Sequence, residues 1–425
     1  MALFNYQVEG VEWMVMREHC LDTPPIDLKE VESVRGGILA DEVGLGKTLQ
    51  TISVIVQNPR KNTLILAPKS LVKQWCAEFS KFAPQIRVST DVQKIDYNSD
   101  SNEIYVHIDS HSKLNSKNAD IEHNKFSPHS WDRIVIDEAH VIRNKKSKIH
   151  KACCHLKSEI RWALSATPVM NKMTDFVNTL QWIGVTQVIC QNFTKEVVDY
   201  FTKRRTKEDI SVENKSLELP LCHVENIKLT FQSSLETNLY VHVYKECREQ
   251  ILAMEKSEYK KNAIYALELL LRVRQLCCHP ASFLDGMKKK YKGDKYNIED
   301  TTSTKLESIL VDISSVPDED KCLIFCHFIK EMDAYCERLK KDGYEIARLD
   351  GSMDSDTRQS YVNKFNTNPK CKVMVVQINT GGVGYNFQVA NRIYITAPTW
   401  NPSLQHQVIG RSHRTGQEKE VFVKI

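Results

Sequence analysis

The stretch Gly36-Gly37-Ile38-Leu39-Ala40-Asp41-Glu42-Val43-Gly44-Leu45-Gly46-Lys47-Thr48 constrains the fold more than any other part of the 425-residue chain. Ile38 to Ala40 is a short apolar run of the kind that makes a buried strand. Glycines then break it, Lys47-Thr48 follows, and Leu49 to Val56 continues with helical period. Strand, glycine turn, lysine and helix start together describe a phosphate cradle, in which turn N–H groups and the positive helix end face one anion. Asp41, Gly44, Gly46, Lys47 and Thr48 are the expected nucleotide contacts. Lys47 would reach the β- and γ-phosphates, and the Thr48 hydroxyl would ligate Mg²⁺. One position departs from G-x-x-x-x-G-K-T: the first glycine is Asp41.

A second site decides between a nucleotide cradle and an ordinary glycine-rich turn. Arg133-Ile134-Val135-Ile136 is an apolar strand ending in Asp137-Glu138-Ala139-His140. Two acids at a strand end complete a P-loop nucleoside triphosphatase. Asp137 would hold Mg²⁺ through water, and Glu138 would orient and deprotonate the attacking water.

The length allows about two to three domains. A hydrophobic content of 41% and a charged content of 26% are those of a globular chain. The formal net charge is only +4, so attraction to nucleic acid has to come from local patches. No apolar run approaches the roughly 20 residues of a membrane span, and the start at Met1 lacks a secretory pattern. Thirteen cysteines, an odd count with two adjacent pairs, argue for free thiols in a reducing compartment. No C-x-x-C pair occurs, and Cys322 to Cys326 reads as a strand, so no structural zinc is expected.

Taken in order, residues 3–14 read as an amphipathic helix in which Gln7 offers a donor and an acceptor to the adenine edge, or simply faces solvent. Residues 22–35, with Pro24-Pro25, read as a surface loop. Thr63 to Pro68 is a further strand, followed by Lys69, Ser70, Gln74 and Trp75, groups that suit a polymer backbone. A basic run, Arg143, Lys145, Lys146, Lys148 and Lys151, lies just beyond the acids, and Trp162 to Pro168 is a strand ending in hydroxyl residues. Strands alternating with helices predict an α/β fold, with parallel sheets and ligands at the strands' carboxyl ends. The expected layout is a nucleotide-binding lobe over 1–205, a helical insertion with a basic linker over 206–300, and a second α/β lobe over 301–425. That last lobe carries Gln407 to Gln417, in which Arg411 and Arg414, three apart, would share a helix face and fork onto the γ-phosphate.

These motifs resemble the Swi/Snf-type ATPases of helicase superfamily two, in order and over nearly the whole chain. The residues that carry the resemblance are Tyr6 to Trp13, Asp41 to Thr48, Asp137 to His140, Ala163 to Asn171, Thr380 to Asn386 and Gln407 to Gln417. Leu271 to Pro280 looks like the post-replication-repair and helicase-like transcription-factor subgroup, here without the RING zinc domain of its larger members. The resemblance implies two RecA-like lobes with ATP and Mg²⁺ between them, Gln7, Gln407 and Gly382 among the nucleotide contacts, and Arg411 and Arg414 as catalytic arginines. It also implies duplex DNA across Lys69, Ser70, Gln74, Trp75, the Arg143–Lys148 run, Thr380, Gly381, Asn386 and Trp400. The implied activity is translocation along duplex DNA, with nucleosomes or repair and transcription proteins as partners, in a nucleus or a viral factory. Ala397 stands where the family has Asp, and the chain stops eleven residues after Arg414, as in a minimal viral enzyme or a truncated one. Two rival readings are a strand-separating helicase of the D-E-A-H type and a scaffold that binds ATP and DNA without turnover.

Overall fold

The computed structural model describes residues 3–21, 33–92, 103–115, 125–169, 172–191, 194–213, 219–254, 259–287, 303–381, 384–414 and 416–425. The loop around Pro24-Pro25, most of the lysine-rich stretch and Gly382 lie outside the described residues. The chain divides into two compact units, Met1–Glu218 and Leu219–Ile425.

The first unit holds strands β1 Arg35–Leu39, β2 Asn62–Ala67, β3 Arg87–Ser89, β4 Tyr105–Ser110, β5 Trp131–Asp137, β6 Ser158–Leu164 and β7 Thr202–Lys203. Its helices are α1 Asn5–His19, α2 Lys47–Gln57, α3 Val72–Phe82, α4 Lys148–His155, α5 Met173–Ile183, α6 Gln187–Gln191, α7 Lys195–Phe201 and α8 Lys207–Glu213. The strands form one sheet in the order β3-β4-β2-β5-β6-β1-β7, with every pairing parallel. β2 is buried along its whole length, as expected of a central strand covered by helices on both faces. On one face Ile38, Leu64, Leu66, Ile134 and Ile136 pack with Phe176, Leu180 and Trp182.

On the other face the buried carboxylate of Glu18 in α1 accepts hydrogen bonds from Arg133 Nε (2.6 Å), Trp162 Nε1 (2.8 Å) and Asn58 Nδ2 (2.6 Å). A buried ion pair is favourable only when its remaining groups are also satisfied, and here they are. The network fixes α1 against the sheet and so places Gln7. Strand order does the rest. Leu164 of β6 is in register with Leu39 of β1 on one side and with Asp137 of β5 on the other. The start of the glycine turn and the first acid are therefore about 10 Å apart, two strand spacings.

The second unit holds β8 Cys222–Glu225, β9 Lys321–Cys326, β10 Glu345–Leu349, β11 Cys371–Gln377, β12 Ala390–Ile395 and β13 Val421–Lys424. They form a parallel sheet in the order β10-β11-β9-β12-β13-β8. Its helices are α9 Ser234–Leu252, α10 Tyr259–Cys278, α11 Pro280–Met287, α12 Thr304–Ser315, α13 Ile329–Lys341, α14 Ser355–Thr367, α15 Ile378–Gly381 and α16 Pro402–Ile409. Alternation along β9 sends Leu323 and Phe325 to one core, and Cys322, Ile324 and Cys326 to the other, beneath α12 and α13.

The stretch read as a helical insertion contributes α9 to α11, which bury Leu239, Val243, Leu269, Leu276 and Phe283 together. It also contributes β8, which pairs with β13 through Cys222↔Val421 and Val224↔Val423 as the edge of the second sheet.

Candidate active site

The glycine turn takes left-handed backbone at Gly44 (φ 98°) and Gly46 (φ 78°), which glycine adopts without strain. Gly46 caps α2, and a Cβ there would lie 2.5 Å from Gln7 Nε2. Lys47 opens the helix, and its ammonium donates to the carbonyls of Asp41 (2.7 Å) and Glu42 (3.2 Å) across the turn. Thr48 follows on the first turn of α2, half-buried. Gln7 lies beside the cradle, but its amide is engaged: Nε2 donates to Leu45 O (3.4 Å) and Tyr6 Oη (3.3 Å), and Oε1 accepts from Phe4 N–H (3.1 Å). Its side chain supports the turn.

Asp41, expected among the nucleotide contacts, faces the other way. Its carboxylate is fully buried. Oδ1 accepts from Arg205 N (3.1 Å) and Nε (3.0 Å), and Oδ2 accepts from Arg205 Nη2 and Gln50 Nε2 (3.0 Å). The fork of Arg205 thus takes up the carboxylate, and only the Asp41 carbonyl is turned to Lys47. Ala40 N–H donates to Lys203 O (2.7 Å), and Glu42 N–H to Arg205 O (2.9 Å). Residues 203–205 thereby run beside the turn as an added edge of its strand.

At the end of β5, Asp137 Oδ1 accepts from Glu138 N–H (2.9 Å), and Oδ2 accepts from Trp75 Nε1 (2.9 Å). Burial pushes the Asp137 carboxyl up to about 6. The Glu138 charge adds to the rise, while the Trp75 hydrogen bond and the Lys47 charge oppose it. Glu138 adopts φ 52°, a left-handed conformation that costs a non-glycine residue about 1–2 kcal/mol. Strain of this kind gathers at functional sites. Its Oε2 lies 3.3 Å from His140 Nδ1. Between turn and acids, Ser165 after β6 donates its N–H to Leu39 O (3.2 Å), and its hydroxyl accepts from Thr167 N–H (3.2 Å). An ammonium, a hydroxyl, a glycine turn at a helix start and two acids fit a nucleoside triphosphate with a divalent cation.

In the second unit, Arg411 and Arg414 are not on a helix face. α16 ends at Ile409, and both arginines follow in turns, so their spacing of three is not the helical pairing expected. Gln407 is buried on α16, and Arg411, 9% exposed, accepts from Phe387 N–H (3.0 Å) through its carbonyl.

Comparison with known proteins agrees with this geometry. The SNF2-related domain matches residues 6–197, and the helicase conserved C-terminal domain matches residues 302–416. A protein of Mycoplasma pneumoniae described as an uncharacterized ATP-dependent helicase is 31% identical over 99% of this chain and 39% of its own length. The chain belongs to the Swi/Snf-type ATPases of helicase superfamily two. The "probable global transactivator" of Orgyia pseudotsugata multicapsid polyhedrosis virus is 28% identical over 99% of this chain and 85% of its own length. A mouse SWI/SNF-related, matrix-associated, actin-dependent regulator of chromatin, subfamily A member 1, is 28% identical over 99% of the chain and 41% of its own length. The chain thus spans about two fifths of the bacterial and mouse relatives and most of the viral one.

Within this Swi/Snf-type ATPase, the first unit gathers Gln7, Gly44, Gly46, Lys47, Thr48, Asp137 and Glu138 at the carboxyl edge of one sheet. Lys69, Lys145, Lys146 and Lys148 are exposed on segments that leave β2 and β5 at that same edge, with Ser70, Gln74 and Arg143 half-buried among them. Trp75, expected to face a polymer, is 1% exposed and faces Asp137 instead. At the carboxyl end of β11, Thr380 and Gly381 lie on α15, where Thr380 Oγ1 donates to Gln377 Oε1 (3.3 Å). Asn386 accepts from Gln388 N–H (3.1 Å), and Trp400 is 68% exposed with the Arg274 guanidinium 5.3 Å from its ring. Nothing local in the sequence marks Arg205 or Gln50 as partners of Asp41, whereas the inward face of Trp75 does carry a signal. Leu71, Trp75 and Phe79 recur every four residues and are all buried, a stripe that marks the inner face of α3.

Proposed function

We propose that this ATPase couples hydrolysis to movement along duplex DNA, remodelling or displacing proteins bound there, in a nucleus or a viral factory. The observation that carries the reading is the shared carboxyl edge of the first sheet. The phosphate cradle and the acids lie there, and exposed lysines at 69, 145, 146 and 148 flank them.

In the proposed reaction, the turn N–H groups and Lys47, whose ammonium is placed over the turn by the Asp41 and Glu42 carbonyls, neutralise the β- and γ-phosphates. Mg²⁺, held by Thr48 and through water by Asp137, would supply charge neutralisation of the phosphate oxygens. Glu138 orients the attacking water and takes its proton. Arg411 and Arg414 stabilise the charge that spreads over the transferred phosphoryl group. The lysines contact phosphates and carry no sequence preference, and Thr380, Gly381, Asn386 and Trp400 extend the DNA contact on the second unit. Nucleosomes and transcription or repair complexes are the proposed obstacles, in line with relatives described as a chromatin regulator and a transactivator.

The test is ATP turnover measured in parallel with no polymer, duplex DNA, single-stranded DNA and RNA. Duplex DNA is expected to stimulate most. Stimulation by RNA alone, or no polymer response, would overturn the reading.

A further inference from the structure

Trp75 combines two features. Its indole is almost wholly buried, and its single N–H is spent on Asp137 Oδ2 at 2.9 Å. An indole used only for packing needs no carboxylate, and Phe79, one turn on, packs there without a donor. Asp137 is the last residue of β5, so the sheet fixes where its backbone ends. The direction of its carboxylate is set by two donors, Glu138 N–H on one oxygen and Trp75 Nε1 on the other. A buried acceptor that loses its donor is costly, and a hydrogen bond weakens steeply as its angle falls.

The other face of the same helical turn looks outward. Lys69 and Lys73 are exposed, and Ser70 and Gln74 are half-buried. Leu71 N–H donates to Pro68 O (2.8 Å) and the backbone N–H of Trp75 donates to Leu71 O (2.9 Å), so the outward residues lie on two consecutive hydrogen-bonded turns that end at the residue carrying the indole. A phosphate gripped by Lys69, Ser70 or Lys73 cannot shift those turns without shifting the indole against Asp137.

We propose that Trp75 is a positioning residue that couples duplex contact on the segment Lys69–Gln74 to the Mg²⁺-facing carboxylate of Asp137. The proposal rests on the duplex-DNA reading given above. Coupling of this kind is reciprocal: whatever duplex does to nucleotide affinity, nucleotide must do to duplex affinity.

The experiment uses the full chain and Trp75→Phe, which keeps a buried aromatic ring and removes the donor. The dissociation constant of a short blunt fluorescent duplex is measured with and without Mg²⁺ and the imido analogue of ATP. In the wild type the analogue is expected to tighten duplex binding about fivefold or more, the lower end of ordinary allosteric coupling. In Trp75→Phe that ratio falls to about one, while duplex affinity without nucleotide stays within about twofold of wild type. A variant that keeps the wild-type ratio overturns the proposal and leaves the DNA reading intact, as does a wild type that binds duplex without coupling. A wild type that binds no duplex overturns the DNA reading itself. If Trp75→Phe does not fold, benzothienylalanine at position 75, with sulfur in place of the N–H and nearly the same volume, takes its place. Failure of both to fold makes Trp75 a structural residue and ends the proposal.

Discussion

At position 41 a carboxylate stands where the nucleotide-cradle pattern has glycine, and Arg205, 164 positions later, closes on it with its backbone N–H and its guanidinium. Restoring the glycine would therefore not improve the cradle. Asp41→Gly is expected to destabilise the first unit by about 3 kcal/mol, because removing one partner leaves a buried charge uncompensated. Adding Arg205→Leu should recover part of that loss, a non-additivity that urea unfolding of the two single variants and the double variant reads directly. Equal stability of Asp41→Gly and wild type would show that the pair is dispensable. Lys47→Ala and Glu138→Gln should both abolish turnover, for different reasons. The first removes a phosphate clamp and weakens ATP binding, whereas the second keeps ATP bound and loses the group that takes the proton. A fluorescent-nucleotide binding assay separates them, and near wild-type turnover by Glu138→Gln would contradict its assignment.

Elements buried on both sides were legible in the sequence, because β1, β2, β5 and β9 read as apolar runs whatever their neighbours. β8 was not: three of its four residues are exposed, so no burial pattern marks it, and it exists only because β13 offers a free edge. The end of α16 does have a signal: Gly410 directly follows Ile409, where a glycine commonly stops a helix, and its N–H closes the last turn onto His406 O (2.9 Å). Of the site, the residues on the glycine turn and the acids could be read because their partners are close in sequence. Arg205 could not, since an acid in place of glycine says that a cation is needed and not where it lies. At the junction of α10 and α11, His279 is buried, and its Nδ1 accepts from Ala281 N–H (3.1 Å). Burial lowers its pKa from an ordinary 6.5 to about 4. A folded-state value below the unfolded one means that stability is fully present above pH 6.5, falls as pH drops toward 4, and levels off below. The loss amounts to about 3 kcal/mol, roughly 1.4 kcal/mol for each unit between 6.5 and 4. His279→Asn, which keeps an acceptor and does not titrate, should show a flatter fall of the unfolding midpoint between pH 6.5 and 4. Parallel curves for variant and wild type would remove His279 as the cause.

Over the whole molecule, Lys47 and Asp137 belong to one compact unit, and Gln407, Arg411 and Arg414 to the other. If the arginines act on the transferred phosphoryl group, Arg411→Ala and Arg414→Ala should lose turnover by about a thousandfold while still binding ATP; variants that turn over normally would confine hydrolysis to the first unit. What the molecule does with that hydrolysis is a question of energy per step. Opening a duplex costs about 1.4 kcal/mol of stacking per base-pair step, whereas sliding along its phosphates leaves the stacking intact. The exposed lysines beside the acids are point charges suited to phosphates, and each one that contacts DNA should lower the slope of log affinity against log salt by about one when it is replaced by Ala. Such contacts grip a backbone and do not hold a separated base. The expected outcome is therefore movement without strand separation, tested by two assays at one ATP concentration. One follows displacement of a triplex-forming third strand, and the other follows release of a labelled strand from a tailed duplex. Triplex displacement without strand release supports translocation on intact duplex; efficient ATP-dependent strand release would make the protein an unwinding helicase instead.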